Sequence, residues 1–135
     1  MSKFLSTKYT NASFNIGMFI LRVVLGILLA SHGYSKLIAF HSLRYKFMNF
    51  IHLGPTLSLS LVIFAELICS IFLILGLFTR FACIPIIIAM AVVVVVASSG
   101  QILGPGERGA IYLAASFTIL LCGPGRISVD AMIGK

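Results

Sequence analysis

The chain has 135 residues, of which 60% are hydrophobic and only 10% are charged, and its mean hydropathy is +1.14. A soluble domain carries roughly 25% charged residues, so most of this chain is not expected to face water. The net charge is +7. The basic residues are scattered at helix ends and loops with no aromatic-rich basic stripe, which argues against a nucleic-acid partner and favours contact with lipid headgroups.

Four apolar segments predict a single all-α domain, an integral membrane four-helix transmembrane bundle. The predicted spans cover about residues 16–38, 57–78, 81–103 and 108–122, and a polar tail covers 123–135. The β-branched run of the third segment would indicate a strand in water. In lipid an unpaired strand cannot satisfy its backbone groups, so the run is predicted to be helical.

The connection between the first two spans, FHSLRYKFMNFIHLGPT (40–56), is long and mixes basic with aromatic residues. This pattern predicts a short interfacial helix lying on the membrane surface. An even number of spans places both termini on one side of the bilayer. The distribution of Lys and Arg predicts that this side is the cytoplasm, with Lys3, Lys8, Arg80, Arg126 and Lys135 facing it and Lys36, Arg44, Lys46 and Arg108 opposite.

Several charged residues lie within the predicted spans, where each costs about 2.5–3.5 kcal/mol at the bilayer centre. Glu66 is well inside the second span, and Arg22 is about two turns into the first. Because the first two helices run antiparallel, Glu66 is predicted to lie between Arg22 and His32 in height. The hypothesis is a buried polar cluster of Arg22, Glu66 and His32, rimmed by Lys36, Arg108 and Tyr112.

These residues also have purely structural interpretations. Glu66 and Arg22 could form a buried ion pair that only fixes helix register. Lys36 could be a snorkelling anchor rather than a reactive group. Arg80 and Arg126 are interpreted as interfacial anchors.

No metal site is predicted. His41 and His52 are expected to lie on the surface, and their spacing with His32 matches no metal motif. The cysteines, Cys69, Cys83 and Cys122, lie in apolar segments and are expected to pack as small side chains.

The functional interpretation is that Glu66 and His32 form a protonatable pair beside a pocket. Such a site suits a quinone or another small amphiphile, because a quinone carbonyl needs a donor and an exchangeable proton. The chain has no CxxC, no haem-binding histidine pair and no nucleotide loop, so no intrinsic haem, flavin or metal is indicated. Any oxidoreductase activity is therefore expected only as a membrane subunit with a redox partner.

Three sequence blocks carry a family resemblance: LRVVLGILLASHGYSKL (21–37), AELICSIFLILGLFTRFA (65–82) and GPGRISVD (123–130). In this order they resemble the DoxX family of small bacterial inner-membrane proteins. The resemblance implies a four-helix transmembrane bundle with cytoplasmic termini. The motif positions are Arg22, Gly26, His32, Gly33, Lys36, Glu66, Gly76, Thr79, Arg80, Gly123, Pro124, Gly125, Arg126, Ser128 and Asp130.

The resemblance also implies a range of functions. Members of the family are linked to thiosulfate:quinone oxidoreduction and to membrane complexes that handle oxidative stress, and related proteins act as cargo receptors or assembly chaperones. We therefore predict a membrane subunit of a quinone-linked redox system. The alternatives are a non-enzymatic scaffold or assembly factor and a small-solute transporter, and a homo-oligomer is left open. Asp130 taken alone is interpreted as a solvated tail residue. Within GPGRISVD it could instead fold back and pair with Arg80 or Arg22, closing the cytoplasmic end of the bundle.

Overall fold

The computed structural model describes residues 2–43, 54–97, 101, 103–104 and 106–134. Within these residues the secondary structure is helical and no strand is present, which confirms the all-α prediction for this part of the chain. The α-helices are α1 (Ser2–Leu5), α2 (Asn11–Ile38), α3 (Phe40–Leu43), α4 (Pro55–Ile63), α5 (Cys69–Leu75), α6 (Thr79–Val92), α7 (Glu107–Cys122) and α8 (Val129–Gly134).

Two π-helical turns interrupt the regular helices. The first π turn, Phe64–Ile68, joins α4 to α5, so that residues 55–75 form one continuous helix. The second π turn, Val93–Ala97, extends α6 at its carboxyl end. A π turn holds one extra residue in a helical turn and shifts the side chains that follow it.

Local sequence explains where the long helices begin and end. The Thr10 hydroxyl accepts a hydrogen bond from the Ser13 N–H at 3.0 Å and thereby caps α2. The helix begins at Asn11, five residues before the predicted start of the first span. Pro55 begins α4, a position where its missing N–H costs no helical hydrogen bond. Gly76 ends α5 with a left-handed φ of 73°, so the second helix stops before the predicted residue 78.

Two predicted features fall largely outside the described residues. Of the interfacial segment 40–56, the structure describes the short helix α3 and residues 54–56, while residues 44–53 lie outside its description. The last part of the third predicted span, from residue 98 onward, is also mostly outside it.

The helices pack around one apolar core. Helix α2 packs on the first π turn and α5, and it also contacts α4 and α7. Helix α6 packs chiefly on α7 and also on α5. The side chains at the centre are fully buried and come from α2, α5, α6 and α7: Leu29, Leu73, Cys83, Ile86 and Ile119.

Two glycines allow α2 to approach the helix 55–75 closely. A Cβ atom on Gly26 would lie 2.9 Å from the Ser70 carbonyl oxygen, and one on Gly33 would lie 2.8 Å from the Leu67 amide nitrogen. Both distances are shorter than van der Waals contact, and the obstructing atoms belong to the backbone. The two helices can therefore keep this spacing only if both positions lack a side chain.

The outer surface of the helices is apolar. Ile20, Val24 and Ile27 of α2 are about half exposed, at 55%, 50% and 54%. Two helices, Asn11–Ile38 and Thr56–Leu75, are long and apolar enough to cross a membrane, with mean hydropathies of 2.0 and 2.5. A further apolar helix, Thr79–Val95, is shorter. Exposed apolar faces of this extent are typical of contact with lipid or a protein partner.

Replacing Gly33 with alanine should destabilise the protein by about 1–3 kcal/mol, because the new methyl group would press on the backbone of the first π turn. Thermal unfolding in detergent would measure this loss. Gly17→Ala is the matched control, because Gly17 lies in the same helix and has nothing within 4 Å of its Cβ position. The control should be neutral or slightly stabilising, since alanine favours helix over glycine. Equal melting temperatures for the two variants would contradict the close packing.

Candidate functional site

A cleft of about 720 Å³ lies between α2, the first π turn, the end of α6 and the start of α7. Five of the six residues of the predicted cluster and rim line this cleft, and Arg22 does not. The polar residues of the lining are His32, Lys36, Glu66, Glu107, Arg108 and Tyr112. Met90, Val93 and Ile111 contribute apolar surface. The cleft thus combines a small set of polar groups with apolar walls.

An ion pair between Glu66 and Lys36 forms one wall of the cleft. Glu66 is only 3% exposed, and the Lys36 ammonium group donates to both of its carboxylate oxygens, at 2.6 Å to Oε1. A carboxylate removed from water needs a partner of opposite charge. Lys36 fills this role and does not act only as a surface anchor. The pair also ties the end of α2 to the first π turn.

The backbone around Glu66 is irregular, and its neighbours accommodate it. Glu66 is the central residue of the first π turn, and a Cβ on Gly33 would lie 2.9 Å from the Glu66 carbonyl carbon. The second π turn faces the same cleft through Val93, against which Gly109 of α7 packs. Isolated π turns occur frequently at functional sites, where they reorient a side chain.

An aromatic ring of α2 and one of α7 contact each other at the lining of the cleft. The ring centroids of His32 and Tyr112 are 5.9 Å apart, and the rings meet edge to face at 62°. Tyr112 is buried, whereas His32 is half-buried. Arg108 lies one turn before Tyr112 and is exposed at the mouth of the cleft. The hydroxyl, the imidazole and the guanidinium group are all hydrogen-bond donors that a bound molecule could use.

The structure does not bring Arg22 and Glu66 together, so the predicted Arg22–Glu66 ion pair is wrong. Arg22 is 1% exposed, and it donates from Nη1 to the Pro124 carbonyl at 3.1 Å and from Nη2 to the Ile127 carbonyl at 2.7 Å. Arg22 precedes Lys36 by 14 residues, which is about 21 Å along a helix at 1.5 Å per residue. The helix register places Lys36, and not Arg22, beside Glu66.

Arg22 belongs to a second polar assembly, which we call the C-terminal clasp. It consists of Arg22, Gly76, Thr79 and residues 123–130. A Cβ on Gly76 would lie 2.5 Å from both Arg22 Nη1 and the Ser128 Cβ, so a glycine is needed where these chains meet. The Ser128 hydroxyl accepts a hydrogen bond from the Ala131 N–H at 3.2 Å and thereby caps α8.

Asp130 folds back as predicted, but its partners differ from the predicted ones. Its carboxylate accepts hydrogen bonds from the Phe78 N–H at 2.8 Å and the Thr79 N–H at 2.9 Å, and its own N–H donates to the Gly76 carbonyl at 2.8 Å. It therefore caps the start of α6, where no side chain of α6 itself serves as a cap. No ion pair with Arg80 or Arg22 is formed, so that part of the prediction is wrong.

Burial of Asp130 acts to raise the pKa of its carboxyl group, but other interactions outweigh this effect. The hydrogen bonds from Thr79 and Phe78 and the positive charge of Arg22 favour the ionised form, so the pKa lies below its ordinary value. Asp130 is thus charged at neutral pH. This charge stabilises the attachment of the C-terminal segment to α6.

Within the described part of the chain, no group of three or more His, Cys, Asp or Glu residues is placed to hold a metal ion. Cys69 and Cys83 are buried and Cys122 is exposed, and all three are free thiols. His41 is exposed, while His52 lies outside the described residues.

Comparison with protein families adds to this geometry. The DoxX family model matches residues 17–99, which is more than half of the 135 residues. The chain therefore belongs to the DoxX family. The match includes the first two sequence blocks, and the GPGRISVD block lies beyond it. No curated protein and no solved structure matches the chain. Family membership and the apolar helices together indicate a membrane protein of the DoxX type.

The Asp130 cap should make the stability of the protein depend on acid pH. Because the pKa of Asp130 is lowered in the folded state, its contribution is complete well above the unfolded pKa of about 3.9. This contribution is lost as the pH falls through the lower pKa that Asp130 has in the folded state. Asp130→Asn should cost about 1–3 kcal/mol at neutral pH and flatten this acid-side loss. Melting temperatures measured from about pH 6 down to about pH 2 would show both effects, because this range extends below the unfolded pKa toward the lower pKa of the folded state.

Glu107→Gln is the matched control for Asp130→Asn, because Glu107 is exposed and caps no other helix through a hydrogen bond in the described structure. It should leave the acid-side profile of the parent protein in place. If Asp130→Asn kept the same profile as Glu107→Gln, the carboxylate would not be the group that holds the C-terminal segment.

Proposed function

We propose that this chain is a multi-pass protein of the bacterial inner membrane, a four-helix transmembrane bundle with both termini in the cytoplasm. Four helical regions support the proposal: residues 11–38, 55–75, 79–97 and 107–122. Their outward faces carry exposed apolar side chains. In this arrangement the C-terminal clasp lies near the cytoplasmic surface, and the cleft lies toward the opposite surface.

We further propose that the cleft binds a quinone or a similarly sized amphiphile, and that the chain is a membrane subunit of a quinone-linked redox system. The observation that carries this proposal is the ion pair of buried Glu66 with half-buried Lys36, which faces a cavity instead of packed side chains. The volume of about 720 Å³ lies within the roughly 300–1,000 Å³ typical of small-molecule sites.

The polar groups of the cleft suit the chemistry of a quinone. A quinone carbonyl accepts hydrogen bonds, and Lys36, Tyr112 and His32 are donors on opposite walls of the cleft. Reduction to the quinol takes up two electrons and two protons. Glu66 and Lys36 are joined by a hydrogen bond at the wall of the site, so they are the residues proposed to pass protons to the ligand.

The electrons would come from a partner. The described residues offer hydrogen-bonding and proton-exchanging groups at the cleft, so the role assigned to this chain is binding, orientation and proton transfer. The family resemblance favours a reduced sulfur compound such as thiosulfate, or an oxidative-stress pathway, as the source of the electrons. The soluble or membrane partner that carries them is proposed to dock on this chain within the bilayer or at its surface.

A scaffold or assembly factor is the second candidate. It is favoured by the fact that both buried charged side chains already have partners within the chain: Glu66 pairs with Lys36, and Arg22 donates to carbonyl groups of the clasp. In this case the ion pair would only stabilise the packing of α2 on the helix 55–75. The two candidates differ in whether the carboxylate of Glu66 is needed for ligand binding.

Glu66→Gln separates these candidates. If the cleft binds a quinone, this variant should lose about 10- to 100-fold in affinity, because an uncharged side chain at this position no longer holds the Lys36 ammonium group in place to donate to the quinone carbonyl. The loss corresponds to the roughly 1.5–3 kcal/mol of the charge-assisted hydrogen bond from Lys36. Equilibrium dialysis of the purified protein with a short-chain benzoquinone and a short-chain naphthoquinone would measure this. A scaffold predicts a lower melting temperature in detergent and no quinone affinity to lose.

Two further sets of variants keep this experiment interpretable. Lys36→Gln combined with Glu66→Gln removes both charges, so it should recover stability relative to Glu66→Gln alone while the quinone affinity stays low. Tyr112→Phe removes one donor from the cleft and should weaken binding, whereas Tyr34→Phe is the matched control because Tyr34 is exposed and away from the cleft. An unchanged melting temperature and affinity in Glu66→Gln would contradict both candidates.

The proposed topology predicts the side of the membrane on which the C-terminus lies. A green fluorescent protein fused after Lys135 should fluoresce in bacterial cells, because this reporter folds in the cytoplasm. A periplasmic phosphatase fused at the same place should be inactive. An active phosphatase and a dark fluorescent fusion would reverse the orientation and place the cleft toward the cytoplasm.

A further inference from the structure

A second cleft, of about 520 Å³, lies beside the C-terminal clasp and shares no lining residue with the quinone-sized cleft. It is bounded by the start of α6, the end of α7 and the segment 123–126. Arg80 and Arg126 line it together with Phe78, Phe81 and Cys122. None of these residues has a role in the function proposed above.

The two arginine side chains in this cleft have no acceptor within the described structure. Arg126 is held by its backbone, whose N–H donates to the Asn15 side chain at 3.0 Å, and its guanidinium group makes no hydrogen bond or ion pair. Arg80 lies with its guanidinium group over Gly123 and is likewise unpaired in the described residues. Both side chains are exposed and therefore available to a ligand.

Among the described residues that line this cleft, the one side-chain carboxylate is that of Asp130, and it does not pair with either arginine. Asp130 lines the cleft, but both of its oxygens accept hydrogen bonds from the backbone at the start of α6. The nearby charge of Arg22 balances the charge of Asp130. Arg80 and Arg126 thus leave two uncompensated positive charges at the cleft.

Gly123 keeps room for the Arg80 side chain. Its φ is 82°, a conformation that favours glycine, and a Cβ there would lie 3.0 Å from Arg80 Nη2. A side chain at this position would require the guanidinium group of Arg80 to shift. The glycine therefore lets Arg80 lie over the backbone of the GPG segment, in the cleft that Arg126 also lines.

The rim of this cleft is apolar and exposed. Of the residues that line it, Phe78 is 58% exposed and Phe81 is 74% exposed. Leu121, which precedes the lining residue Cys122 at the end of α7, is 68% exposed. A pair of unpaired guanidinium groups next to exposed aromatic and aliphatic side chains matches a molecule that has a phosphate at one end and hydrocarbon at the other. Guanidinium groups bind phosphate oxygens in a two-pronged geometry.

We propose that Arg80 and Arg126 form a binding site for the phosphate headgroup of an anionic membrane lipid. The proposal relies on the placement of this end of the molecule at a membrane surface, but not on quinone binding. The acyl chains would lie along the exposed apolar face that Phe81 and Leu121 begin. A single guanidinium group near an anionic surface contributes about 1 kcal/mol, so each arginine should account for about a fivefold preference for an anionic over a zwitterionic lipid.

The chain has no tryptophan, which allows a direct test. Phe81→Trp places a single fluorophore at the cleft, and the protein is reconstituted in bilayers that contain brominated phosphatidylglycerol or brominated phosphatidylcholine. Brominated lipid quenches tryptophan when it is in contact. Phosphatidylglycerol is expected to quench more strongly at equal mole fraction, and equal quenching by the two lipids would overturn the proposal.

Charge-removing variants locate the site in the same Phe81→Trp background. Arg80→Gln with Arg126→Gln should abolish the preference for phosphatidylglycerol, and each single substitution should reduce it about fivefold. Lys8→Gln is the matched control, because Lys8 is an exposed basic residue near the same end of α2 and does not line the cleft. It should keep the preference. A loss in Lys8→Gln as large as that in the arginine variants would indicate general surface charge and overturn the site.

A final measurement separates a lipid from free phosphate. Inorganic phosphate at concentrations up to about tens of millimolar should not displace brominated phosphatidylglycerol, because the lipid also gains contact with the apolar rim. Displacement by inorganic phosphate would overturn the assignment to lipid in favour of a soluble phosphate compound. Quinone affinity measured on the same arginine variants should be unchanged. The lipid proposal and the quinone proposal can therefore fail independently of each other.

Discussion

The close antiparallel packing of α2 on the helix 55–75 is the constraint on which the two polar assemblies depend. Gly26 and Gly33 bring the two backbones into contact opposite Ser70 and Leu67. Once this register is set, it places Lys36 beside Glu66 at one end. At the other end it places Arg22 beside Gly76. A shift of one helical turn, about 5.4 Å, would separate both pairs and leave the charges without partners.

Each assembly satisfies its buried charge in a different way. Glu66 is neutralised by a flexible lysine that is still partly exposed, and this pair faces a cavity. Arg22 is fully buried and donates to fixed backbone carbonyls of a segment that wraps over it. The first arrangement leaves room for a ligand and for proton exchange, whereas the second is closed and rigid. This contrast is the physical reason for assigning chemistry to the cleft and structural stabilisation to the clasp.

Sequence reasoning identified most of the residues but not their partners. The apolar segments predicted the helices, and the charged residues within them predicted a polar cluster between the first two helices. Helical periodicity gives the direction of a side chain around its axis, but it does not give the relative height of two helices. Arg22 was therefore paired with Glu66, although the two lie at different heights. The two π turns were missed because FAELI and VVVVA carry no local signal that distinguishes them from regular helix.

The sequence by itself determined that the chain is helical and apolar, that it belongs with the DoxX proteins, and that its few buried charges need partners. The helical and apolar character depends on composition, on periodicity and on local caps such as Gly76, whereas the likeness to the DoxX proteins depends on the specific sequence blocks. Only the tertiary structure decided that Lys36 and not Arg22 pairs with Glu66, and that the Asp130 carboxylate caps the backbone N–H groups at the start of α6. The reason is that such partners are 30 to 52 residues apart along the chain, and only the packing of the helices brings them together.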